Sequence, residues 1–148
     1  MPIVSIAIEL TAHNFSRLIT AEEFLTPLNI QPGEVEDAWV NKPPWGSSAV
    51  RISSCRNTSK TVMIDSEALF DAWAAETFRV AINFLNRRQS EVFACISISG
   101  LFLRLEVEIV EFGAVTIYDF PQELYQLCRS HKIDFYSLHP GSDHTETA

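Results

Sequence analysis

Residues 101–110 read Leu-Phe-Leu-Arg-Leu-Glu-Val-Glu-Ile-Val, and this stretch decides the fold. Leu101, Leu103, Leu105, Val107 and Ile109 alternate with Phe102, Arg104, Glu106, Glu108 and Val110. A period of two apolar against polar is the mark of a strand with one face in a core and the other in water. Parallel sheets, covered on both sides, favour unbroken apolar runs instead, so the pattern predicts an antiparallel-type sheet with one solvated face. That face carries carboxylates rather than lysines.

Working outward, Val4, Ile6, Ile8 and Leu10 alternate with Ser5, Ala7 and Glu9 to predict a first strand. Thr20-Ala-Glu-Glu23 is a capping box, in which the threonine hydroxyl serves the Glu23 amide and the Glu23 carboxylate reaches back, so a helix follows to about Leu28 and Pro27 keeps it short. Gln31-Pro32-Gly33-Glu34 reads as a turn, and residues 41–48 as an irregular loop holding Trp45. Strands are predicted at Ala49–Ser54 and Lys60–Ile64, joined as a hairpin across residues 55–59. Asp65 or Ser66 then caps the longest helix, whose Phe70, Trp73, Ala74, Phe78, Ala81, Ile82 and Leu85 recur at three- and four-residue spacing. Such a face requires a sheet to lie on.

Arg87, Arg88 and Gln89 are placed in the last turn of that helix, where positive charge complements the macrodipole. Glu91–Ser97 is read as a strand, with Ser99-Gly100 as a tight hairpin into Leu101–Val110 and a further extended piece at Ala114–Tyr118. Pro121 opens a final helix to about His131. Ile133–Leu138 closes as a strand, and residues 140–148 form a solvated tail. The expected fold class is α+β: a mixed or antiparallel sheet with helices mainly on one face, of ferredoxin-like character, in a single domain spanning residues 1–139.

The chain has 148 residues, with 19 acidic against 11 basic and a net charge of -8. That balance repels phosphate and argues against nucleic acid as a partner, because such binding rests on neutralising the backbone. It points to a basic protein surface, although charge of this size also serves simply to keep a small domain soluble. Cys55, Cys95 and Cys128 are odd in number and far apart, which fits a reduced, cytoplasmic setting better than a disulfide framework. Neither a signal peptide nor the ~18 consecutive apolar residues of a spanning helix can be read, so no membrane association is expected.

Glu106 and Glu108, with Glu111 nearby, are the candidates for chemistry, since paired carboxylates can hold a divalent cation or divide acid and base roles. A small metal-dependent hydrolase or nuclease is the reading they would support. Arg104, the nearest strand neighbour of opposite charge, reads instead as their ion-pair partner. His13, His131, His139 and His144 lack the spacing of a zinc helix, and no nucleophile elbow, Walker loop or dinucleotide pattern occurs. No cofactor is expected. Trp39 and Trp45 border the proline-bearing loop beside Glu34, Glu36 and Asp37, an aromatic-and-carboxylate grouping of the kind that anchors protein interfaces.

The opening strand to Leu10, the helix leading into Leu28-Asn29-Ile30-Gln31-Pro32, the loop at Trp45, and the ending Phe120-Pro121-Gln122-Glu123-Leu124 to Ile133-Asp134-Phe135-Tyr136 together resemble a class of small bacterial proteins. The layout is similar to immunity proteins of polymorphic and contact-dependent toxin systems, and to an uncharacterised bacterial domain family built the same way. The resemblance implies stoichiometric inhibition of a toxin without catalysis, and carries no site residues with it. The residues expected to meet the partner, a basic toxin domain, are therefore those chosen on charge and aromaticity: Glu34, Glu36, Asp37, Trp39 and Trp45 on the loop side, and Glu106, Glu108 and Glu111 on the sheet. A phage-type inhibitor that imitates nucleic acid, such as an anti-CRISPR protein, is the alternative.

Overall fold

The alternation in residues 101–110 becomes a central strand whose apolar residues mate in register with those of the first. In the computed structural model, which describes residues 3–40, 48–56, 66–111 and 120–138, the elements run β1 (Ile3–His13), α1 (Ala21–Leu28), β2 (Asp37–Val40), β3 (Ser48–Arg56), α2 (Ser66–Asn86), α3 (Gln89–Phe93), a π-helical turn (Ala94–Ile98), β4 (Phe102–Glu111), α4 (Gln122–His131) and β5 (Asp134–Leu138). Ile6, Ile8, Leu10 and Ala12 of β1 stand opposite Ile109, Val107, Leu105 and Leu103 of β4, and all eight are buried. Each large aliphatic side chain buried in this double row stabilises the fold by roughly 1.5–3 kcal/mol.

One five-stranded sheet results, ordered β2-β3-β1-β4-β5, in which every pairing is antiparallel except β4 with β5. It is the mixed α+β sheet expected of the sequence. Strands β2, β3, β1 and β4 stand in the order of a ferredoxin-like sheet, but β3 runs antiparallel to β1. The parallel β4–β5 pair cannot be joined by a hairpin, and α4 lies in the connection between them. The helices cover the side built from Ile6, Ile8 and Leu10: Phe78, Ala81, Ile82 and Leu85 of α2, Phe24 and Leu28 of α1, and Leu124 and Cys128 of α4 join the same core.

Three expectations need correction. Residues 91–97 are helical, not a strand: the Val92 amide donates to the Arg88 carbonyl at 2.9 Å, and Val92 and Cys95, three apart, are buried together. The short apolar run fits either period, and packing against α1 selects the helical one. Ser99-Gly100 consequently closes a helix instead of turning a hairpin. Gly100 has a φ of 68°, and the Ser99 and Leu101 amides return to the carbonyls of Ala94 and Cys95 at 3.0 Å each. Similarly, Arg87 and Arg88 do not end α2, which stops at Asn86; Arg88 stands at the N-cap position of α3, with its buried side chain directed to other partners. The strand expected at 60–64, the loop at Trp45, the piece at 114–118 and the tail at 140–148 lie outside the described residues.

Candidate interaction face

Ser5, Ala7, Glu9, Thr11 and His13 of β1 and Phe102, Arg104, Glu106 and Glu108 of β4 form the face that the described helices leave open. A bulge between Ile8 and Glu9, where β3 supplies one extra residue, sets the rows. One row crosses all five strands: Asp37, Arg51, Glu9, Glu106 and Tyr136 stand opposite one another in succession. The next row holds Thr11, Arg104 and Asp134, with Trp39 and Ala49 at the same level by backbone register. On the other side of the first row, Ala7 faces Glu108.

Charge on this face is partly internal. Arg51 holds Glu9 at 3.0 Å, and Arg104 holds Asp134 at 2.9 Å while lying over the rings of Phe102 and Tyr136 at 5.8 and 5.0 Å. Among the described residues Glu106 and Glu108 enter no salt bridge, and Glu106 stands directly across from Glu9. Burial, followed by the Glu9 and Glu108 charges, pushes the Glu106 carboxyl upward, only partly countered by Arg104 and the Thr11 hydroxyl. The expected pairing of Arg104 with the glutamates is thus replaced by a pairing with Asp134.

The face ends in rings. His13 pairs with Phe102 across the β1–β4 ladder, and Phe15, 81% exposed, sits edge-on to His13 at 4.6 Å and 5.2 Å from Phe102. Burial and then Arg104 lower the His13 pKa, so the imidazole stays neutral at pH 7. The Asn14 side-chain amide donates to the Gly100 carbonyl at 3.1 Å and accepts from the Ser16 amide, tying the loop after β1 to the loop before β4. The loop after β1 also carries the exposed Leu18, and the exposed Ile98 ends the π-helical turn just before the other.

The residues selected from sequence scatter across three settings. Glu106 and Glu108 lie together on the open face as anticipated, and register brings Asp37 onto the same row although 69 positions separate Asp37 from Glu106. Glu36 is tied to β3, accepting from the Ser54 hydroxyl at 2.6 Å and the Ser54 amide at 3.2 Å. Glu34 serves the interior: it is bound by the buried Arg88 and by Arg87, and although burial raises its pKa, Arg88, the Gln31 amide and Arg87 outweigh that and lower it. Glu111 pairs with Ile3 at the far end of the ladder, Trp39 belongs to β2, and Trp45 is outside the described residues. Sequence reasoning passed over His13, Phe15, Phe102 and Arg51. The alternation of β1 already placed Glu9, Thr11 and His13 on the polar side, but only the register shows what faces them.

Elsewhere, a cavity of about 240 Å³ opens in the helix layer between Phe93, Ile96 and Ser97 and the end of α4 at Ser130, His131 and Lys132. It falls short of the roughly 300–1,000 Å³ typical of a small-molecule site. Among the described residues no group of three or more histidines, cysteines or acids comes together as a metal site, and no helix is long and apolar enough to cross a membrane. Comparison with family models, curated proteins and solved structures returned no match.

Proposed function

We propose that this chain is an acidic protein-binding module of the immunity type, which holds a basic bacterial toxin domain in the cytoplasm and covers the toxin's working surface. The observation that carries this reading is the face left open by the described helices, on which Glu106 and Glu108 stand, without a salt bridge among the described residues, beside exposed rings. Carboxylates on an open face accelerate capture of a positive partner, and aromatic side chains supply most of the desolvation energy once contact is made. The nucleic-acid mimic reading requires an unbroken negative stripe. Arg51 interrupts the row of Glu9 and Glu106, and Arg104 stands in the row beside it, which favours a compact acidic patch and hence the immunity reading.

The test is co-expression with a toxin domain encoded in the neighbouring reading frame. The chain is expected to restore growth of a host that the toxin arrests, and to bind the toxin in a purified pair. A Glu106→Lys, Glu108→Lys double variant should melt within a few degrees of the parent yet associate about tenfold or more slowly at low salt, the difference shrinking as salt rises. Failure of the unaltered chain to bind or protect against that domain would remove the proposal.

A further inference from the structure

Resting on the docking role proposed for this face, we infer that the partner contributes an extended segment, with one apolar side chain held on Phe15 and Phe102 and lysine or arginine four and six residues further on. The geometry behind this is the spacing along β4. Phe102, Glu106 and Glu108 point to the same side, and four residues of strand span roughly 13 Å, six roughly 20 Å. An extended segment repeats at the same rise with the same alternation. Laid along β4, it brings its own positions i, i+4 and i+6 over the rings and over the two carboxylates in turn.

The position between them is occupied by Arg104, already bound to Asp134 and lying over Phe102 and Tyr136, so the segment's i+2 residue is small or polar and not basic. At the apolar end, Phe15 is exposed and yet held in a ring cluster by His13 and Phe102, and its loop is fixed by the Asn14–Gly100 bond. A rigid, solvated aromatic loses little conformational freedom on binding, which suits an anchor. Aromatic rings on an open sheet also stack nucleobases in RNA-binding α+β domains. Here the nearest cation is pinned by Asp134 and the next two positions on that side of the strand are carboxylates, so the phosphates of a nucleic acid would be repelled.

The experiment is an amide chemical-shift titration of the full chain with three probes. They are the acetylated heptapeptide Leu-Ser-Ser-Ser-Arg-Ser-Arg amide, the same peptide with glutamate for arginine, and an eight-residue oligouridylate. The arginine peptide is expected to shift the amides of His13, Phe15, Phe102, Glu106 and Glu108, and the other two to leave them in place. Phe15→Ala, at an exposed position where folding should be unaffected, is expected to weaken the peptide about tenfold with an unchanged melting temperature. Glu106→Gln with Glu108→Gln is expected to weaken it comparably. Binding that ignores Phe15→Ala, binding of the oligouridylate at equal or lower concentration, or no shift with the arginine peptide would each overturn the inference. None of these would touch toxin protection by the intact face, which the co-expression measurement decides separately.

Discussion

Arg88 shows how one side chain can be committed to the interior while remaining charged. It is 4% exposed, donates from Nε to the Leu28 carbonyl at 2.9 Å and from Nη2 to the Asn29 carbonyl at 3.3 Å, pairs with Glu34, and lies 4.0 Å over the Phe84 ring. The planar fork satisfies carbonyls at the end of α1 that no helical amide can reach. Arg88→Met strands both the carbonyls and Glu34. We expect it to cost about 3–5 kcal/mol, read as a lowered urea midpoint. Glu106 behaves in the opposite sense. Its folded pKa is raised, so the folded state binds the proton more tightly than the unfolded state, and stability falls as pH rises through that interval. Glu106→Gln should therefore stabilise the fold at pH 7 by a few tenths to about 1 kcal/mol, the cost of part-burying a carboxylate and setting it across from a like charge, and the gain should vanish in acid, as thermal unfolding across pH would show. Neither role was legible in sequence. Glu34 and Glu106 are both glutamates in polar surroundings, and what separates them is whether Arg88 or Glu9 arrives opposite, a contact made over tens of residues of chain.

At the level of elements, local chemistry was the more readable part. The capping box at Thr20 forms as written: the Glu23 amide donates to Thr20 Oγ1 at 3.3 Å, and the Thr20 amide donates to Glu23 Oε1 at 3.1 Å. Arg17 and this amide together bring the Glu23 carboxyl from its ordinary 4.5 down to about 2. A lowered carboxyl stabilises fully above its unfolded value and loses that contribution as pH falls toward about 2. Glu23→Gln should accordingly flatten the acid limb of the stability profile below about pH 4.5, and Thr20→Ala should cost about 1 kcal/mol in equilibrium unfolding. Where sequence misled, the punctuation was right and its meaning was not. Gly100 does mark a sharp change of direction, but as the left-handed residue that ends a helix rather than a hairpin tip. A side chain added there meets nothing within 4 Å, so Gly100→Ala should cost only the backbone strain, roughly 1 kcal/mol, visible as a lower melting temperature.

For the molecule as a whole, alternation in β1 and β4, taken with the capping box of α1 and the three- and four-residue spacing of α2, sufficed for the α+β class and for the existence of a wet, acidic side. Alternation could not supply the strand order, because pairing of β1 with both β3 and β4 depends on how α1 and α2 carry the chain across the sheet. Burial of the whole core has a chemical signature: burial pushes the Cys95 thiol up to about 11, and burial together with Asp134 pushes Cys128 to about 12. Both should resist iodoacetamide at pH 8 in the native protein and react once urea unfolds it, as intact mass would report. The division of labour along β1 and β4 has a consequence for descent. Because Ile6, Ile8, Leu105 and Val107 hold the interior while their sequence neighbours Ala7, Glu9, Glu106 and Glu108 meet solvent, the exterior set is free to be rewritten without disturbing the scaffold. Point substitutions there retune recognition one side chain at a time, whereas a single insertion would exchange the two sets; such a lineage diversifies by replacement and keeps its strand lengths fixed.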